Sequence, residues 1–165
     1  MGTPITQEGH TQLSAELDNL KSVERPAIIE AIAAARAHGD LKENAEYHSA
    51  KEKQGFIEAR IKLLDSLLSS ADIIDPATIG ADGRCIFGSY VKLKNEDDKI
   101  VNYRLVGEFE SDVENGLLSS TSPIGRALIG KYADDNIAIE TPGGTKEYEI
   151  LEIRYTAEST AENTD

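Results

Sequence analysis

Between Gln7 and Ala37 the apolar positions recur at helical spacing. Leu13, Leu17 and Leu20 fall four and three apart, and Ile28, Ile32 and Ala35 resume the series. The pattern predicts a helix entered at Thr6, a residue type suited to the N-cap. Pro26 interrupts the ladder. Lacking an N–H and crowding the preceding turn, it should kink the helix or restart it. The second series is unbroken: Tyr47, Ala50, Gln54, Ile57, Ile61, Leu64 and Leu68 alternate spacings of three and four. That is a heptad seam. Each arm runs to roughly 30 residues, or ~45 Å at ~1.5 Å rise per residue. Matched arms and a short connection predict an antiparallel coiled-coil hairpin.

Asp75-Pro76 ends this region, and after a linker at 77–83 the period changes to two. Strands are expected at 84–94, 99–106, 136–141 and 146–154, rich in Val, Ile and Tyr. Pro142-Gly143-Gly144 reads as the tight turn joining the last two. Between them, Ser122 suits an N-cap, Pro123 a first helical position and Gly130 a stop, so one short helix is expected there. The fold class is therefore α+β. A helical hairpin occupies 1–76, a small β-rich domain 77–155, and a polar tail, expected to be disordered, 156–165.

Composition narrows the class. Hydrophobic residues make up 39% of the chain and aromatic residues 5%, with no tryptophan, which suits a coiled coil that needs little core per residue. The net charge is -13, divided as -5 over residues 1–76 and -8 over 77–165. A generic nucleic-acid binder is basic, so contact with nucleic acid would need a local basic face or a protein partner as guide. Cys85 is the only cysteine, which excludes an intrachain disulfide and suits a reducing compartment. With no signal-like N-terminus and no long apolar run, the expected location is the cytoplasm, away from membranes.

Residues 38–47 read HGDLKENAEY and carry the chemistry. Asp40 and Glu43 sit beside Gly39 between the two arms. One reading makes Asp40-Leu41-Lys42-Glu43 a capping box, with Gly39 closing the first arm in the left-handed conformation. The other uses the same spacing. Residues three apart near a helix start share one side, and two carboxylates there could share a hard cation such as magnesium. An exposed pair should bind it weakly alone and become competent only where another protein completes the shell. Arg36, Lys51, Lys53 and Arg60 admit two readings as well: exposed ion pairs on a solvated flank, or a basic track for a nucleic-acid backbone. Tyr47 opens the seam, whereas Leu41 has no obvious core to join. His10, His38 and His48 have no metal-ligand spacing with the cysteine. No P-loop, dinucleotide fingerprint or Ser/His/Asp arrangement is present.

The run HGDLKENAEYHSAKEKQGF at 38–56 resembles the signature of bacterial GreA-type transcript cleavage factors. KSVERPAIIEAIAAARAHGD at 21–40, GRCIFGS at 83–89, SPIGRALIGK at 122–131 and TPGG at 141–144 resemble the same family, in order along almost the whole chain. The resemblance implies a coiled coil followed by an FKBP-like domain. It also implies a role in which the C-terminal domain, through Ser122, Pro123 and Ile124, binds RNA polymerase at its secondary channel. The coiled coil would then reach the catalytic centre. There Asp40 and Glu43 would help hold a magnesium ion shared with the polymerase active site, none being bound tightly by the free protein. Arg36 and Lys51 would lie near the 3′ segment of the nascent RNA. Lys51 stands where many relatives carry arginine, which keeps the charge but not the guanidinium fork. On this resemblance the chain is no enzyme itself. It stimulates the polymerase to cut backtracked RNA and so rescues arrested complexes. The alternative within the same channel is a regulator without cleavage. A prolyl isomerase of FKBP-like topology would commonly have a tryptophan flooring its pocket, which this chain lacks.

Overall fold

The computed structural model describes residues 2–39 and 44–157. They form two compact units. Residues 10–71, with Gly2, make the first; Thr3–Gly9 and the chain from Asp72 onward make the second.

The first unit is a helical hairpin. Its first arm is α1 (Gln7–Asn19), a π-helical turn at Leu20–Glu24, and α2 (Arg25–Arg36). The second arm is α3 (Ala45–Ser69). The π turn answers the question Pro26 poses. At the boundary the Arg25 N–H bonds the Leu20 carbonyl, five residues back. The widened turn absorbs one residue, as π-bulges do. The apolar series needs the same residue: Leu20 to Ile28 spans eight positions where a heptad gives seven. Pro26 then stands in the first turn of α2, where its missing N–H costs nothing.

The arms pack through Ile28 and Ile32 against Ile57 and Ile61, flanked by Leu17, Leu20, Tyr47 and Ala50. The seam ends differently from its spacing. Leu67 is buried at 7% exposure, while Leu68 is only half-buried. Steps of three and of four from Leu64 return to the same helix face, so sequence could not separate them. Among the described residues, three ion pairs cross the seam. Arg60 holds Glu16 with two hydrogen bonds of 2.7 and 2.9 Å. Arg25 holds Glu58 with two of 2.8 Å, and Lys21 meets Asp65 at 3.3 Å.

The second unit is a five-stranded mixed sheet in the order β5-β4-β3-β7-β6, with one short helix on its core. The strands are β3 (Tyr90–Lys94), β4 (Ile100–Val106), β5 (Leu117–Ser119), β6 (Asn136–Thr141) and β7 (Gly144–Arg154). Neighbours are antiparallel except β4 and β5. Thr141 pairs with Gly144, so the turn expected at 142–144 is the two-residue loop Pro142-Gly143. Helix α4 (Pro123–Leu128) contributes Leu128 to a core of Val91, Leu93, Leu105, Leu118, Ile137, Ile139 and Ile150. Cys85 is buried there too, and burial pushes its thiol up to about 11, which leaves it protonated and unreactive at neutral pH.

One expected strand is shortened. The stretch 84–94 is extended only from Tyr90, because the chain before it turns on its own hydrogen bonds. The Ile86 N–H donates to Ser89 Oγ at 2.9 Å and the Ser89 N–H to the Ile86 carbonyl at 3.0 Å. Two further short strands, β1 (Thr3–Ile5) and β2 (Ala71–Ile73), pair as a separate two-stranded sheet. Thr6 does cap α1, its Oγ accepting the Gly9 N–H at 3.0 Å. The cap is held from far along the chain. Glu110 accepts the Thr6 N–H at 3.1 Å, the Thr6 hydroxyl, and the Gly107 N–H at 2.8 Å. A Cβ at Gly9 would fall 2.0 Å from the Glu110 carboxylate, so any side chain there would have to push that carboxylate aside.

Two outcomes follow for the hairpin. In urea unfolding of the full chain, Leu67→Ala should destabilise more than Leu68→Ala. Leu64→Ala should cost about 2–5 kcal/mol, the range for emptying a packed leucine site. Acid should also loosen the arms. The bidentate arginines hold the Glu16 and Glu58 carboxyls below their usual 4.5. A carboxyl lowered by folding stabilises fully above its unfolded pKa and loses that contribution as pH falls through its folded one. Stability from these pairs should thus be flat above about pH 5 and decline below 4.5, toward the depressed folded values. The effect is small because both pairs are solvent-exposed. An Arg60→Gln chain should show a shallower acid decline in thermal unfolding.

Candidate functional site

The first arm ends in a tightening turn. His38 donates to the Ala35 carbonyl at 3.1 Å and Gly39 to the Arg36 carbonyl at 3.0 Å. Gly39 takes φ +98°, as a helix stop requires. The second arm opens at Asn44, which has extended backbone and caps α3. Its Oδ1 accepts the Tyr47 N–H at 3.0 Å, and its Nδ2 donates across the hairpin to the Ala35 carbonyl at 2.7 Å. One side chain thus closes the start of one arm and satisfies a carbonyl in the last turn of the other.

The N-cap of α3 is thus Asn44. The capping box expected from Asp40 to Glu43, with Leu41, lies outside the described residues.

The two basic residues come together. Arg36 and Lys51 line one shallow groove of about 260 Å³, with Ile29, Ile32, Ala33 and Gln54. The Arg36 guanidinium lies 5.9 Å from the centre of the Tyr47 ring, within range of a cation–π contact. The Lys51 ammonium donates to Gln54 Oε1 at 3.4 Å, a neutral partner. Among the described residues, neither cation is paired with a carboxylate. Arg60 is: Glu16 holds it, so it does not extend a basic track along the arm.

The candidates on α4 divide. Ser122 is the N-cap, its Oγ accepting the Gly125 N–H at 3.0 Å and donating to the Ser119 carbonyl at 2.7 Å. That is the structural role its position in the sequence also allowed. Ile124 is half-buried against the sheet core, and Pro123 is exposed. Of the three, Pro123 offers its side chain to solvent most fully.

Sequence reasoning passed over Asn44. A signal was present, since asparagine ahead of a helical run is as good an N-cap as aspartate. Four residues earlier, Asp40 gave the same signal, with Glu43 added three residues on. Nothing in the spacing pointed to a bond from Asn44 to Ala35, which depends on how the arms meet.

Comparison with known proteins covers both units. The family model described as "Transcription elongation factor, N-terminal" matches residues 3–73, and that described as "Transcription elongation factor, GreA/GreB, C-term" matches residues 80–155. The chain is 55% identical to the transcription elongation factor GreA of Alkalilimnicola ehrlichii, over 92% of this chain and 97% of that protein. It is 58% identical to the factor of the same name from Ruegeria pomeroyi, with the same coverage. Among solved structures it is similar to the GreA factor homolog 1 protein of Thermus thermophilus. There the identity is 24% and the TM-score 0.43, over 93% of this chain and 99% of that one. With both family models in order along its length and relatives more than half identical across nearly all of it, the chain belongs to the GreA/GreB family of transcription elongation factors.

Proposed function

We propose that this chain enters the secondary channel of bacterial RNA polymerase and stimulates the polymerase to cut backtracked nascent RNA. The observation that best supports the reading is the hairpin end. A segment bearing two carboxylates, Asp40 and Glu43, is flanked by a helix stop at Gly39 and a cap at Asn44 tied to the opposite arm. Beside it Arg36 and Lys51 share one groove.

Each part has a physical role in this reading. The carboxylates present oxygen donors of the kind magnesium prefers, and two of them make an incomplete shell that polymerase groups and phosphate oxygens would complete. When bound, such an ion would stabilise charge on the attacking and leaving oxygens of phosphodiester hydrolysis. Arg36 and Lys51 supply local positive charge in an otherwise acidic chain, suited to the RNA backbone near the 3′ end. In the second unit, Pro123 at the exposed start of α4 is the candidate contact that docks the chain on the polymerase. Ser122 would act there through the cap it provides. The chain itself performs no bond cleavage in this scheme. It binds, orients and delivers charge.

Asp40→Asn and Glu43→Gln, made singly, test the reading on a stalled polymerase–RNA complex. Each amide is near-isosteric and removes one negative charge. Stimulated cleavage should fall by at least ~10-fold at limiting magnesium, as expected when a sparse shell loses a ligand. Melting temperature and polymerase affinity should stay close to those of the unaltered chain, since the α3 cap is Asn44. Full stimulation by either variant at limiting magnesium would refute the charge-delivery role. Binding by the unaltered chain without any stimulation would indicate a regulator that occupies the channel without cleavage.

A further inference from the structure

We infer that the π turn at Leu20–Glu24 is a flexure: a point at which the first arm opens and bends while the second arm stays a continuous rod.

Three independent causes of bending coincide there. The turn carries one residue for which a straight helix has no place, with the Arg25 N–H bonded five residues back. Pro26 follows closely and offers no N–H to the turn before it. Ser22 Oγ donates to the Asp18 carbonyl at 2.7 Å, a side-chain bond that competes with the backbone ladder and bends helices. Opposite them, α3 runs as a single α-helix of 25 residues with no proline. The hairpin therefore has one jointed arm and one rod.

At the joint the arms are held by charge rather than by packing. No residue of the turn is buried, and Val23 is 55% exposed. The buried isoleucines of the first arm begin beyond it, at Ile28, and Leu17 and Leu20 before it are only partly buried. Among the described residues, the three ion pairs that cross the seam start from Glu16, Lys21 and Arg25, around this gap. All six side chains are a third or more exposed, so each pair is weak and screened by salt. A segment with few buried contacts and exposed backbone hydrogen bonds opens at a lower cost than the core around it. Opening here leaves Ile28 and Ile32 on Ile57 and Ile61, because the extra residue supplies the slack.

The test straightens the arm in the full-length chain. Deleting Val23 removes the extra residue, since Leu20 and Ile28 then fall a heptad apart. Pro26→Ala in the same chain restores the missing N–H. In the unaltered protein, backbone amides from Lys21 to Arg25 should exchange hydrogen at least ~100-fold faster than those of Ile57 and Ile61. Raising sodium chloride from ~0.05 to ~1 M should widen that gap by speeding the turn alone. In the straightened variant the gap should close to within ~10-fold, and the melting temperature should rise, as expected when an interior proline and a bulge are both removed. Deleting the exposed Ala59 from α3, which has no extra residue to lose, should instead lower the melting temperature sharply by turning half of that arm off the seam. Turn amides as protected as those of Ile57 and Ile61 in the unaltered chain would overturn the inference. So would a straightened variant that melts below the unaltered chain, since the turn would then be needed for packing. Equal tolerance of the Ala59 deletion would refute the phase argument on which the flexure rests, and exchange in the turn that ignores salt would refute its bracing by charge.

Discussion

The hairpin depends on four isoleucines. Ile28 and Ile32 on one arm and Ile57 and Ile61 on the other are each less than a tenth exposed. Burying each contributes about 1.5–3 kcal/mol relative to leaving it in water. Without that seam α2 has little reason to persist, since it has only 12 residues and helices of that length are marginal alone. The π turn is a consequence of the same constraint. The apolar series slips by one residue between Leu20 and Ile28, and the widened turn is how the first arm keeps both halves on the seam. The hydrogen bond from Asn44 to the Ala35 carbonyl is a consequence too, because the two residues meet only when the arms are zipped to their end.

Among the described residues, three cations lower on the arms meet carboxylates: Arg60 with Glu16, Arg25 with Glu58, Lys21 with Asp65. Near the end, Arg36 lies over an aromatic ring and Lys51 meets an amide. A side chain stacked on tyrosine keeps its charge available to an incoming anion, whereas one held bidentately by a carboxylate does not. In a chain of net charge -13, this is where attraction for a polyanion can be concentrated.

Sequence carried the helices well and the joints poorly. The two arms, the restart at Pro26, the stop at Gly39, the α4 cap at Ser122 and the turn at Pro142-Gly143 were each legible, because each rests on one residue type or one period. Strands β1, β2 and β5 have three residues apiece, too few for a period of two to register. The choice between Leu67 and Leu68 needed the packing, since both lie on the same face. The Glu110 grip on Thr6 spans 104 positions and leaves no local trace. At the candidate site, Arg36 and Lys51 could be named from sequence, but not that they share a groove with Tyr47 beside it. Asn44 was hidden by a stronger signal of the same kind four residues earlier.

On the proposed function, the hairpin brings cleavage to a polymerase that performs the chemistry. The most direct measurement is the release rate of a short 3′-terminal RNA fragment from a stalled polymerase–RNA complex, alone and with the full chain at a saturating concentration. Accelerated release, saturating as the chain occupies the complex, is the result this account predicts. Release at the polymerase's own rate with the chain demonstrably bound would contradict it.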